Sequence, residues 1–293
     1  MKVCVIILLI ACLSFFAPFI KAGSKNKPNI LFFMADDMGL GDTSVYLNIS
    51  LTKGSKPIEK TLLTPSLDKF AKQAVIFTDA HAPASMCSST RYSLLTGRLA
   101  HRSYLKKQGW LPHGPNRPMI QQALTTLPEM LQRNGYYTGA IGKYHVGMDF
   151  DDGHGQPADE FDYKDVDFTK PLIDGPTHHG FDEFFGVPGN TEDSLDTEPR
   201  IYIRNDKWTF TDRSKMHWMG MKHRAGQILS GPNWDLSQLG PDFLKEGLQF
   251  IQVASQKQKP FFLYYAPTAN HFQRNQSGDY AVPKFLDGKP VKG

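Results

Sequence analysis

Cysteine is nearly absent from this 293-residue chain, which has three: Cys4, Cys12 and Cys87. Cys4 and Cys12 lie within an apolar N-terminal stretch, so a mature chain in an oxidising compartment keeps Cys87 alone, which excludes a disulfide framework. A large excess of one charge is also absent. The formal net charge is +4, and no dense Lys/Arg run or basic-aromatic platform occurs, which excludes a nucleic-acid-binding surface. His101, Arg102, Lys106 and Lys107 read as a solvated patch. There is no internal repeat. The acidic series Asp149, Asp151, Asp152, Asp159, Asp162, Asp165 and Asp167 has no calcium-loop spacing and reads as a surface loop.

What is present is a core and a leader. Hydrophobic residues make up 40% of the chain and aromatics 12%, enough to fill one large domain. Lys2 precedes the apolar run Val3 to Ile20, and small or polar residues follow from Lys21 to Asn26. This predicts a signal peptide over 1–22, cleaved near Ala22, with an uncleaved anchor as the alternative its length allows. Cleavage leaves no stable membrane insertion and sends the chain to the secretory pathway, lysosomal or extracellular. Asn48 and Asn275 head N-glycosylation triplets, which agrees with that route.

Strand and helix signals alternate along the chain. "PNILFFMA" at Pro28 to Ala35 predicts a buried strand that breaks into Asp36 and Asp37. Thr64-Pro65 caps a helix through about Gln73, whose Leu67, Phe70 and Ala74 are spaced to face a core, and "VIFTDA" from Val75 returns to strand character. A helix over Leu127 to Arg133 stops at Gly135 and leads into a strand from Tyr137 to Ile141, followed by Lys143 and His145. A helix from about Pro241 to Ser255 precedes a strand from Pro260 to Ala266, followed by Asn270 and His271. Asp149 to Lys170 and Gly189 to Trp234 read as long irregular loops. The pattern is that of an α/β fold with a mostly parallel central sheet and helices on both faces. Such sheets bind ligands beyond the carboxyl ends of their strands, where the polar residues collect.

The chemistry of these ends is specific. Asp36 and Asp37 are adjacent like charges, accommodated either by a shared proton or by a cation between them, for which a hard divalent ion is the natural partner. After Cys87, Ser88, Ser89 and Thr90 are candidate caps for a helix that ends at Gly97, placing residue 87 at a helix N-terminus. Such an end attracts anions, and Arg91 sits about one turn on with a planar cationic fork. A tetrahedral oxyanion fits this set, with Lys143 and His145 adding positive charge or proton transfer and His271 as a further acid-base candidate. The bland alternatives are a small buried thiol and structural histidines.

In family order, "NILFFMADDMGLGD", "CSSTRYSLLTGR", "GAIGKYHVG" and "HHGFDEFFG" resemble the successive motifs of the type I sulfatases, within the arylsulfatase and N-acetylgalactosamine-sulfatase branch. The resemblance runs from about Asn29 to His271. It implies an alkaline-phosphatase-like fold, with residues 23–293 forming a sulfatase catalytic domain incomplete at its C-terminus. It further implies that a formylglycine-generating enzyme oxidises Cys87 to formylglycine, whose hydrated aldehyde attacks sulfate esters. One calcium ion (Ca2+) would sit among Asp36, Asp37 and residue 87. Arg91 would steady the formylglycine diol, Lys143 and His145 would hold sulfate oxygens or the diol, and His271 would assist at the leaving-group oxygen. The substrate would be a sulfated small molecule or glycan.

Two departures bear on these expectations. The family's maturation signal is Cys-x-Pro-x-Arg, and Ser89 stands at the proline position, where serine neither fixes φ nor removes a donor. No Asp-Asn pair follows His271, although the family completes its calcium site with one. The alternatives are therefore an inactive sulfated-glycan-binding homologue and a phosphate or phosphonate ester hydrolase of the same superfamily.

Overall fold

The computed structural model describes residues 27–51, 63–105, 118–159, 163–191, 199–220, 227–268, 271, 285–286 and 289–290. In chain order its main elements are β1 (Ile30–Phe33), α1 (Ser44–Leu51), α2 (Pro65–Ala71), α3 (Cys87–Thr96), α4 (Leu127–Arg133), β2 (Tyr137–Lys143) and β3 (Glu183–Val187). These are followed by β4 (Ile203–Arg204), β5 (Lys207–Trp208), β6 (His217–Gly220), β7 (Gln227–Ser230), α5 (Leu239–Gln256) and β8 (Phe261–Ala266).

The central sheet has the order β1-β8-β2-β3-β4-β5. β1, β8, β2 and β3 run parallel, and β4 and β5 close the far edge antiparallel. β2 and β8, inside the sheet, are covered on both faces, and β8 accordingly reads as a continuous apolar run. β1, expected to be buried, lies at the sheet edge and alternates instead, with Leu31 and Phe33 54% and 61% exposed. The two-residue period of the strands then sorts them into two cores. Ala140, Phe262 and Tyr264 pack with Tyr92 and Leu95 of α3 and Leu131 of α4. Ile141, Phe261 and Leu263 pack with Phe243, Phe250 and Ala254 of α5. Tyr137 and Phe250 stack with ring centroids 5.3 Å apart, over Gly139, where a Cβ would overlap the Phe250 ring.

Local signals account for the boundaries. Thr126 accepts from the Glu129 N–H while the Glu129 carboxylate accepts from the Thr126 N–H, a capping box that starts α4. Gly135, at φ 84°, turns the chain into β2. α5 begins two residues earlier than expected, at Leu239, and β2 runs two residues further, to Lys143.

Other expectations differ from the structure. "VIFTDA" is not a strand: Val75 and Phe77 are 82% and 67% exposed, and the run pairs with no strand among the described residues. Strand propensity is realised only where a partner edge supplies hydrogen bonds and a face to pack on. Leu67 and Phe70 of α2 are likewise exposed, because helical spacing shows which face is apolar and not what covers it. The loop read over Gly189 to Trp234 contains the pairs β4–β5 and β6–β7. In the acidic segment, Asp159 and Asp165 are exposed and Asp151, Asp152 and Asp167 accept from backbone N–H groups of their own turns, but Phe150, Tyr163, Val166 and Phe168 between them enter the core, and Asp162 lies outside the described residues. The signal peptide and Asn275 lie outside the described residues, and Asn48 falls within α1. No described helix is long and apolar enough to cross a membrane.

Candidate active site

The sheet brings its polar strand ends together at one edge. Beyond β1, the Met34 N–H donates to the Tyr265 carbonyl at 2.9 Å, carrying the ladder on toward Asp36. β2 delivers Lys143 and His145, and the chain leaving β8 delivers His271. Gly142 permits the close approach of these strands: its φ is 110°, and a Cβ there would overlap the Ala266 carbonyl.

Residue 87 arrives from the opposite direction as the first residue of α3. The expected serine or threonine cap is absent, because the N-cap is Met86 in an extended conformation and no side chain accepts from the first turn. The hydroxyls of Ser88 and Ser89 are buried without partners. The first helical bond runs from the Thr90 N–H to the Met86 carbonyl at 3.0 Å, so the N–H groups before it remain open to an anion. Gly97, at φ 66°, ends the helix as its sequence predicts.

Four of the expected residues meet in a buried ionic cluster. Lys143 Nζ lies 2.6 Å from Asp36 Oδ2 and 3.7 Å from Cys87 Sγ. Arg91 Nη2 lies 3.5 Å from the same Asp36 oxygen. Arg91 Nη1 donates to the Lys143 carbonyl at 2.6 Å and to the Tyr264 hydroxyl at 3.0 Å. Arg91, Lys143 and Asp36 are 1%, 0% and 4% exposed. Burial alone would raise the Asp36 carboxyl, but Lys143 and then Arg91 hold it below its usual range. Burial raises the Cys87 thiol; Lys143 opposes this and Asp36 adds to it.

The other expected residues surround this cluster. Asp37 differs from its neighbour in being 43% exposed at the side chain, and its Oδ2 lies 3.7 Å from His271 Nε2. His145 is buried, and its N–H donates to the Pro188 carbonyl at 2.8 Å. Asp37 (φ 55°) and His145 (φ 50°) are two of the four non-glycine residues with positive φ among the described residues. Such strained backbone costs roughly 1–3 kcal/mol per residue and clusters where function demands it. A cavity of about 330 Å³, lined in part by Asp36, Asp37, Met38, Cys87, Thr90 and Arg91, opens above the cluster.

Sequence reasoning missed Tyr264, because it sits in a run read only as apolar core.

Among the described residues, one donor set could hold a metal ion. Asp36, Cys87 and His271 each place a ligand atom within 4.8 Å of the others. With Asp37 facing His271, the set offers two carboxylates at the cavity, in keeping with a hard cation.

Comparisons with known proteins point to one family. The sulfatase family model matches residues 28–289. N-acetylgalactosamine-6-sulfatase from Rattus norvegicus is 30% identical over 279 residues, covering 93% of this chain and 44% of the relative. Arylsulfatase G from Homo sapiens is 32% identical over 262 residues, covering 84% and 42%. The chain thus spans less than half the length of these relatives. Among solved structures, a Bacteroides thetaiotaomicron protein described in work on glycosaminoglycan metabolism superposes with TM-score 0.63 at 24% identity, over 84% of this chain and 52% of that one. The sulfatase PsFucS1 from Pseudoalteromonas sp. gives TM-score 0.56 at 24% identity, over 93% and 49%. These two likenesses establish the shared fold. With the family model matching nearly all of the described sheet and every residue of the buried cluster, the chain belongs to the sulfatase family.

Proposed function

We propose that this site hydrolyses sulfate monoesters of sugars or aryl alcohols, with residue 87 as nucleophile after its conversion to formylglycine. The observation that carries the reading is the cluster itself: two buried cations, Arg91 and Lys143, beside a buried carboxylate and residue 87 at a helix N-terminus. Lys143 and Arg91 neutralise negative charge developing on sulfuryl oxygens, and in a dry pocket they do so far more strongly than in water. The open N–H groups of α3 add to the same field. Arg91, clamped at Nη1, keeps its Nη2 edge toward Asp36. His271, whose Nε2 lies 3.7 Å from Asp37 Oδ2, would give a proton to the departing oxygen.

Asp36, Asp37 and residue 87 would hold one calcium ion, which when bound supplies Lewis-acid stabilisation of sulfate charge. Formylglycine supplies a hydroxyl nucleophile. The substrate class follows the relatives, whose names specify N-acetylgalactosamine 6-sulfate and aryl sulfates. Maturation by a formylglycine-generating enzyme and a secretory or lysosomal location belong to the same proposal.

The raised thiol of Cys87 favours a second reading if conversion fails. An unmodified residue 87 is neutral and a poor nucleophile, which leaves a sulfated-glycan-binding pocket without turnover. Mass spectrometry of the tryptic peptide Gln73 to Arg91 from protein secreted by animal cells separates the two. An aldehyde at residue 87 supports hydrolysis. A thiol alone, from cells that convert a proline-containing control, refutes it. Paired aryl sulfate and aryl phosphate turnover then distinguishes a sulfatase from a phosphatase.

A further inference from the structure

We infer that Tyr264 is a positioning residue for Arg91, fixing its guanidinium so that one edge stays directed at Asp36. The inference rests on the sulfatase reading only where it concerns turnover. Arg91 is fully buried and its five donors must be placed without water. Nη1 is saturated by two acceptors on two strands, the Lys143 carbonyl at the end of β2 and the Tyr264 hydroxyl on β8. Nε and Nη2 make no hydrogen bond, although Nη2 lies 3.5 Å from Asp36 Oδ2. The guanidinium is therefore held on one side and left uncommitted on the other.

Tyr264 can accept because its own proton is spent elsewhere. Its hydroxyl donates to Met34 Sδ at 3.2 Å, on the segment that carries Asp36 out of β1. Burial raises this phenol and keeps it protonated, with Arg91 opposing. Tyr264 thus links the Asp36 segment to the helix that bears residue 87. Its ring is held by Phe32 and Phe181, at centroid distances of 6.2 Å and 6.3 Å, so the oxygen has little freedom to follow a moving guanidinium. A core role for the ring alone would require no hydroxyl at this position.

The test is Tyr264→Phe, which keeps the ring and deletes the acceptor. In ¹⁵N-arginine-labelled protein, the Arg91 Nη1 protons of the wild type should be resolved because two hydrogen bonds hinder rotation. In the variant their exchange should quicken about tenfold, the rate equivalent of one lost hydrogen bond. With an aryl sulfate, kcat should fall by about tenfold to a hundredfold with KM within about twofold, as expected for misplacement near the reacting atoms. Should the Phe variant not fold, replacement of Tyr264 by 4-aminophenylalanine keeps the volume, weakens the acceptor and should show the same changes. Unchanged Arg91 exchange overturns the inference, as does faster exchange with kcat unaltered in protein that turns over. If the wild type shows no turnover, the sulfatase reading fails and the Arg91 spectrum alone decides the role of Tyr264.

Discussion

Replacing Lys143 by Met tests whether the cluster is held by charge. The substitution keeps much of the side-chain volume and leaves Asp36, 4% exposed, without the ammonium 2.6 Å away. Removing one partner of a buried pair costs roughly 3–5 kcal/mol, because the other charge stays uncompensated. Arg91 Nη2 at 3.5 Å compensates part of it, so the low end, about 3 kcal/mol, applies. At roughly 2–4 °C per kcal/mol, the melting temperature should drop by about 6–12 °C. Calorimetry at pH 7 with chelator present is the assay. The pH follows from the sign of the shift: Asp36 is depressed in the folded state, so the contribution of its pairing is complete above the unfolded carboxylate value of about 3.9 and is lost as pH falls through the folded value. Adding Asp36→Asn to Lys143→Met should recover most of the loss, since the pair is then gone rather than broken. A drop under about 2 °C for the single variant, or no recovery in the double, would refute the ionic account.

Ser89→Pro should raise the fraction of residue 87 converted to aldehyde, read by peptide mass spectrometry, without lowering stability. Residue 89 precedes the first helical N–H donor at Thr90, and its hydroxyl has no partner to lose. Calcium should raise the melting temperature, by about 2.7 kcal/mol of stabilisation at a hundred times Kd. Asp37→Asn, at an exposed side chain, should abolish that rise while leaving the metal-free melting point within about 2 °C. Gly142→Ala should yield insoluble or strongly destabilised protein by circular dichroism, because φ is 110° and the new Cβ meets the Ala266 carbonyl. Iodoacetamide should alkylate unconverted Cys87 at pH 7 more slowly than a free cysteine, since burial raises its thiol.

The sheet was legible where two sequence signals coincided. Tyr137 to Lys143 carries an apolar run after a capped helix and a stop glycine, and β8 follows a long amphipathic helix; both lie where expected. "VIFTDA" has only the run, and with no partner edge among the described residues it stays extended and exposed. Asp36, Cys87, Arg91 and Lys143 were legible as chemistry, because each residue type at a strand or helix end points to anion or cation binding. Their mutual geometry was not. Which Asp36 oxygen meets Lys143, and that Tyr264 reaches Arg91 across 173 positions, depends on strand order, and a linear pattern does not encode strand order.

The state of Cys87 joins the physical reading to the family's chemistry. A thiol at a helix N-terminus beside two cations is ordinarily driven toward thiolate. Here burial, with Asp36 adding its charge, outweighs Lys143 and Arg91, and the thiol is raised. Lys143 is instead paired with Asp36, while Arg91 is anchored at Nη1 by Tyr264 and the Lys143 carbonyl and leaves its Nη2 edge, 3.5 Å from Asp36, without a hydrogen bond. The electrostatics of this pocket are therefore poorly arranged for sulfur nucleophilicity and well arranged for an oxyanion above α3. Under the proposed reading, a hydroxyl of the hydrated aldehyde at residue 87 would use that arrangement, whereas a thiol would leave it a binding site. Replacement of the Cys87 sulfur by aldehyde oxygen would then separate an enzyme from a receptor built on the same residues.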